Sequence, residues 1–325
     1  MKIRRRRFLR LAGSAVALSA FSRIAAAQVY PTRPVRWLVG FPAGGSLDLG
    51  GRLMAQWLSE QLSQQFIVEN RPGAGGNIAA EAFVRAPPDG YTLLNVSIAD
   101  AFSATLYDKF NVDRIRDMAP VAGIMSVPGV LVVNPSVPFN TLPELIAYAK
   151  SNPGKINVAS GGNASAQHIY LELFKMMTDV DVVHVPYRGG GPALIDLLAG
   201  HSQVMFDTAP TCLEYIRADR LRPLAVTTAI RLEALPDVPT VSEFVPGFEG
   251  SGWHGVCAPA NTPAEIVATL NREINAGLNE PKIKDRIADW ACLPLALSPS
   301  DFGRYFAGEI EKWAKVIRGA NINVE

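Results

Sequence analysis

The sequence is poor in the residues that soft metal and redox sites require, with three cysteines and four histidines in 325 residues. Cys212, Cys257 and Cys292 stand far apart, in none of the paired spacings that hold zinc or run disulfide exchange. At most one disulfide could form, and three buried free thiols are the expected state. His168, His184, His201 and His254 show no H-E-x-x-H or other close ligand spacing, so no metal and no cofactor is expected. His184, flanked by Val183 and Val185, reads as a structural strand residue. No segment offers 18 uninterrupted apolar residues, and none reads as a membrane span. A strong basic charge is also missing. The formal net charge is +1, and it becomes −6 once the first 27 residues, with seven Lys/Arg and no acid, are set aside. That balance lacks the electrostatic footprint of a nucleic-acid binder, so no nucleic-acid partner is expected.

Those first 27 residues read as an export signal. Lys2 and Arg4 to Arg7 precede a short apolar stretch, Leu11 to Phe21, and Ala25-Ala26-Ala27 offers a cleavage site before Gln28. Arg5-Arg6-Arg7-Phe8-Leu9-Arg10 resembles the twin-arginine signature, with an Arg-rich Sec signal as the alternative. The expected location is the periplasm.

The length exceeds the usual single domain, and the remaining chain alternates strand-like runs with helical patterns. "VRWLVGF", "FIVEN" and "YTLLNV" form one set of strands; "VLVVN", "INVAS", "VVHVPY", "SQVMFD" and "LAVTT" form a second. Alternation of this kind predicts parallel sheets with right-handed crossovers, and two successive sheets are expected. Thr141 with Glu144, and Thr262 before Pro263-Ala264-Glu265, are expected to start helices. The expected boundaries are 28–125 for a first domain, 126–250 for a second, and 251–325 for a return of the chain to the first.

Glycine-rich loops at 42 to 48, 160 to 165 and 188 to 192 fall beyond the carboxyl ends of strands, where open α/β sheets bind ligands. The plainer use of each glycine is a tight strand-to-helix turn. Neither G-x-x-x-x-G-K-[ST] nor G-x-G-x-x-G occurs at these loops, which argues against a nucleotide. What remains is a set of backbone N–H groups at helix N-termini, and these favour a carboxylate as readily as a phosphate. Ser46 and Asp48 are candidate caps; Asp48, itself anionic, suits a cap, a water-holding or an amine-reading role. Arg188 sets a cationic fork beside a glycine loop, to grip a carboxylate or to pair with Asp207. Tyr187 either stacks on a ligand or packs in the cleft wall. Ser165, His168 and Asp207 approach a hydrolase set, but no G-x-S-x-G elbow is present, and Ser165 is better placed as a first-turn donor.

Read in order, "FPAGGSLDLGGRL", "VENRPGAGGNIAAEAFVRAPPDGYTLL", "ASGGNASAQHIYLELF", "VPYRGGGPALIDLLAGHSQVMFD" and "PTVSEFVPGFEGSGWHGVCAPANTP" resemble the substrate-binding proteins of tripartite tricarboxylate transporters, the Bug or TctC-like family. The resemblance covers the chain from about Val29 onward. It implies two doubly wound α/β domains joined by a hinge around a central cleft, the type II periplasmic binding protein architecture. It implies a monomer that captures a small organic acid without catalysis and delivers it to two membrane subunits, one large and one small. A ligand sensor feeding a membrane receptor is the alternative, and a periplasmic hydrolase a remote one. Carried onto this sequence, the family's ligand-binding positions are Phe41, Pro42, Ala43, Gly44, Gly45, Ser46 and Asp48 in the first domain, with Ser97 added after the third strand. In the second domain they are Gly162, Ala164, Ser165, His168, Tyr187, Arg188, Gly189 and Asp207. Ala164 stands where relatives often carry glycine, and Gly50-Gly51 replaces helix formers at a cost of roughly 1 kcal/mol each relative to alanine.

Overall fold

The first strand, β1 (Val35–Val39), is buried at nearly every position, as a strand covered on both faces must be. Around it, a computed structural model describes residues 30–107, 111–319 and 322, so the export-signal reading of residues 1–27 lies outside the described residues. The chain continues through α1 (Ser46–Gln61), β2 (Phe66–Asn70), α2 (Asn77–Val84), β3 (Thr92–Ser97) and α3 (Ile98–Leu106). A long strand, β4 (Met118–Val133), leads to α4 (Leu142–Ser151), β5 (Asn157–Ser160), α5 (Ala166–Thr178), β6 (Val183–Pro186), α6 (Gly190–Leu198), β7 (Val204–Thr208), α7 (Ala209–Arg217) and β8 (Arg222–Val226). The last part is β9 (Ser251–Pro259), α8 (Ala264–Asn279), α9 (Pro281–Asp289), β10 (Leu293–Pro294) and α10 (Pro299–Gly319). None of the described helices is long and apolar enough to cross a membrane.

The strands run in the order β2-β1-β3-β9-β4-β7-β5-β6, with β8 and β10 also paired to β4. Parallel pairing holds β1 to β2 and β3 at one end and β5 to β6 and β7 at the other. The two parallel sheets expected from the sequence are therefore the ends of one curled path, and antiparallel strands join them. β4 pairs with β9 from Met118 to Pro128, then with β7 from Gly129 to Val133 and with β8 from Val130 to Val133. Its first segment contains Pro120, Gly123 and Pro128, which break any strand-like pattern, and register shifts between Pro120 and Ala122 and between Gly123 and Met125 accommodate it. Arg33–Glu325 forms one compact unit.

The chain crosses between the two ends at Gly129 and again between Thr227 and Gly250, and one buried side chain ties the crossings. Thr227 Oγ1 accepts Gly129 N–H at 3.0 Å and donates to the Gly250 carbonyl, while Thr227 N–H reaches the Gly129 carbonyl at 2.9 Å. A Cβ on Gly129 would sit 2.6 Å from that hydroxyl, so glycine is required there for the close approach.

Packing also explains the Gly50-Gly51 pair. A Cβ on Gly51 would lie 2.8 Å from Asn95 Nδ2, which donates to the Leu47 carbonyl at 2.7 Å, and a Cβ on Gly50 would lie 2.9 Å from Met125 Cε. The glycines let α1 lie close on the sheet. At α4, Thr141 Oγ1 accepts Glu144 N–H as expected, whereas Thr262 does not cap α8: its hydroxyl donates to the Pro259 carbonyl and Pro263 takes the cap position. Cys212, Cys257 and Cys292 are all buried and free.

Candidate functional site

Five helices begin at one cleft. Gly45, Ser46 and Leu47 open α1, Ser97 to Ala99 open α3, Ser165 to Gln167 open α5, Gly190 and Gly191 open α6, and Thr208 with Thr211 opens α7. Together with Phe41, Pro42, Val127, Gly161, Tyr170, Asp207, Gly252, Trp253 and His254 they line one cleft. Among the described residues, no Lys or Arg lines this space. Its positive potential comes from helix N-termini, each carrying roughly half an elementary charge.

The first loop is held from behind. Asp48, almost fully buried, accepts Gly44 N–H, Arg52 Nε and Asn70 Nδ2, each at 2.9 Å, and Asn70 also donates to the Phe41 carbonyl. Burial alone would raise the Asp48 carboxyl, but the bonds from Arg52, Gly44 and Asn70 hold it below the ordinary aspartate range. Asp48 thus fixes the loop rather than lining the cleft. Gly44 adopts φ +82°, a turn that glycine makes without strain, and with Ala43 it forms the exposed tip.

The second loop is braced by two histidines. Ala164 holds φ +59°, uncommon for a residue with a Cβ, and its N–H points to His168 Nδ1 at 3.3 Å. The rings of His168 and His184 stack with centroids 4.1 Å apart, and His184 Nε2 meets Ser160 Oγ at 2.6 Å. Burial pushes both imidazoles down to about 4, so they stay neutral. Ser165 Oγ accepts the His168 backbone N–H and caps α5. Since the His168 ring serves Ala164, Ser165 and His168 do not form a nucleophile and base.

Of the residues nominated from the sequence, Phe41, Pro42, Gly45, Ser46, Ser97, Ser165 and Asp207 line the cleft. Gly162, Tyr187, Arg188 and Gly189 line a more open cavity beside it, sharing Phe41, Pro42 and Gly161. The Tyr187 hydroxyl donates to Asp196, and Arg188 is exposed and makes no ion pair with Asp207. Ala43 and Gly44 lie at the loop tip; Asp48, Ala164 and His168 lie behind the loops.

Residues that pattern reading did not single out are Gln167, Tyr170, Thr211, Trp253 and His254. Gln167 and Tyr170 were accessible to helical phase, since they follow Ser165 within the first turns of α5. Trp253 and His254 arrive on β9, a strand distant in sequence, and no local signal marks them.

The cleft floor is unusual in its polar atoms. Both Asp207 oxygens, the Tyr170 hydroxyl and His254 Nδ1 are buried without a hydrogen-bond partner. Burial raises Asp207 to about 6; Thr208, Thr211 and Gln167 lie near enough to oppose this, but none of them completes a bond of good geometry. Burial also holds His254 down to about 3.

The cleft is shut at its lips. A Cβ on Gly189 would lie 2.6 Å from Pro42 Cγ, and one on Gly75 would lie 3.2 Å from Ala164 Cβ, so loops from opposite ends of the sheet touch.

Two α/β halves around a cleft lined by helix N-termini define a solute-binding protein of the periplasmic type. The chain belongs to the TctC family, the "Tripartite tricarboxylate transporter family receptor", whose pattern matches residues 51–322. Protein BugT of Bordetella pertussis is 36% identical over 315 residues, covering 96% of this chain and 97% of that protein. Among solved structures, Rpa4515 of R. palustris with adipate is 38% identical, with a TM-score of 0.88 over 90% of this chain and 99% of that one. MatC of Rhodopseudomonas palustris with bound malate is 30% identical, with a TM-score of 0.85 over 89% of this chain and all (100%) of that one. The family comprises periplasmic receptors that work with membrane transporter components, and the role of this chain is solute binding rather than catalysis.

Proposed function

We propose that this protein captures a small organic carboxylate in the cleft and hands it to a large and a small membrane subunit of a tripartite transporter. The observation that carries this reading is the convergence of five helix N-termini on a space with no Lys or Arg among the described residues that line it. Such a site neutralises an anion with fixed dipoles and backbone N–H groups, and so holds it without the deep trap that a buried cation would make. The relatives that contain adipate and malate support the carboxylate class. Phe41, Pro42, Gly45, Ser46, Ser97, Ser165 and Asp207 contact the solute in this reading. Asp48, Ala164 and His168 set the loops, while Gly162, Tyr187, Arg188 and Gly189 border the mouth with Ala43 and Gly44. Residues 28–125 with 251–325 move as one lobe and 126–250 as the other, about the crossings that Thr227 ties. Residues 1–27 direct export, and the exported protein acts as a monomer.

A thermal-shift screen against organic acids, sugars and nucleotides tests this reading. A carboxylate at 100 times its Kd adds about 2.7 kcal/mol of stability, visible as a shift of a few degrees. A shift with sugars or nucleotides alone would refute it.

A further inference from the structure

Beside the cleft lies the second, more open cavity, walled by Phe41, Pro42 and the 72–76 loop from one end of the sheet and by the 161–163 and 186–189 loops from the other. Phe41, Pro42 and Gly161 belong to both spaces, so the two adjoin. The touching lips, Pro42 and Gly189, form part of its wall, which places it at the mouth of the cleft. Among the described residues that line it, Arg188 alone carries a formal charge. Arg188 is exposed and makes no ion pair among the described residues, while Asp196, the acid that Tyr187 reaches, is also held by His201 at 2.9 Å. The next residue, Gly189, is the cap position of α6, whose first residues Gly190 and Gly191 line the cleft.

Residues 28–325 carry a formal net charge of −6, and such a surface repels an approaching carboxylate. The helix N-termini that hold an anion inside the cleft act only over about their first turn, so they do not draw it in from solution. We propose that the open cavity is a vestibule that receives the carboxylate, and that Arg188 is the cation that draws it there before it passes Phe41 and Pro42 into the cleft. This rests on the carboxylate reading above and adds the path of entry. The wall suits the role, because Gly73, Gly75, Gly76, Gly161, Gly162 and Gly189 put no side chain across the opening. A cation at the rim also fits capture followed by release: it speeds encounter without burying an ion pair that the solute would have to break on leaving.

The test is stopped-flow binding of malate and of adipate to the wild-type protein and to Arg188→Gln, Arg188→Lys and Arg188→Glu. At low salt Arg188→Gln associates at least about fivefold more slowly, Arg188→Glu more slowly still, and Arg188→Lys within about twofold of wild type, because charge rather than a planar fork is what acts. Dissociation is no faster in any of them. In about 0.5 M NaCl the differences shrink to about twofold or less. Arg217→Gln removes the same charge from an exposed residue that ends α7 and lines neither cavity, and it leaves the association rate unchanged. Equal slowing in Arg217→Gln would show net charge alone at work and overturns the proposal. An unchanged association rate in Arg188→Gln overturns it too, as does a loss of affinity carried by faster dissociation, which would make Arg188 a contact of the bound acid. In each of these cases the carboxylate reading stands. If neither these acids nor a wider panel of small carboxylates binds the wild-type protein, that reading and the vestibule fall together.

Discussion

Asp207 illustrates how one residue on the lining of the cleft can cost stability. Its folded value of about 6 exceeds the 3.8 of an ordinary aspartate, so the fold favours the protonated form. The stability tied to this group is therefore full below about pH 4 and is lost as pH rises through 6. Asp207→Asn should remove that loss and stabilise the empty protein at pH 7 by up to about 3 kcal/mol. His168, His184 and His254 titrate the other way: their values are depressed to about 4, 4 and 3 from 6.5, so stability from their neutral forms is lost as pH falls below 6.5. The diagnostic quantity is the difference in unfolding midpoint between variant and wild type across pH 4 to 7, measured by urea denaturation; a flat difference would contradict the assignment. His168 carries a second prediction. His168→Ala orphans the Ala164 N–H and unstacks His184, and should cost about 2 kcal/mol while weakening ligand binding, read by the same denaturation and by calorimetry.

At the level of elements, the glycines of α1 separate propensity from packing. Gly51→Ala gains helix propensity yet drives a methyl group onto the Asn95 amide, so it should destabilise by about 1–3 kcal/mol. Gly50→Ala meets the flexible end of Met125 and, at 3.2 Å, the buried His254 ring, so it should cost less than Gly51→Ala, and thermal unfolding of the pair distinguishes the two sites. The same contrast explains what was legible in the sequence. The parallel strands β1, β3, β5 and β7 and the loops that follow them announce themselves through apolar runs and glycine, and they supply Phe41, Ser46, Ser97, Ser165 and Asp207 to the cleft. The first segment of β4, Met118 to Pro128, did not, because its prolines and glycines interrupt any periodic pattern while bulges keep it in the sheet, whereas its second segment is the apolar run VLVVN. Trp253 and His254 were hidden for a related reason: β9 reaches the cleft by pairing with β3 and β4, and long-range pairing leaves no trace in local spacing. The resemblance carried Asp48 and His168 as site residues, but only side-chain geometry reveals that they hold the loops from behind.

For the whole molecule, the proposed function makes closure of the cleft the step that turns binding into a message for the transporter. The touching lips at Pro42 and Gly189 leave no room for a side chain, and Gly189 holds φ +120°. Gly189→Ala should therefore disfavour the closed form and weaken ligand affinity about tenfold or more, with Pro42→Ala in the same chain recovering part of the loss. Calorimetry on the single and double variants decides this; unchanged affinity in Gly189→Ala would show that the lips need not meet. The central claim is that the cleft captures an organic carboxylate at its helix N-termini, and its most direct test is calorimetric titration of the ligand-free protein with a panel of small carboxylates. The account predicts one-to-one binding of a carboxylate class, with the acid recovered unchanged and small-angle scattering reporting a more compact protein. Binding confined to sugars or nucleotides, or consumption of the acid, would contradict it.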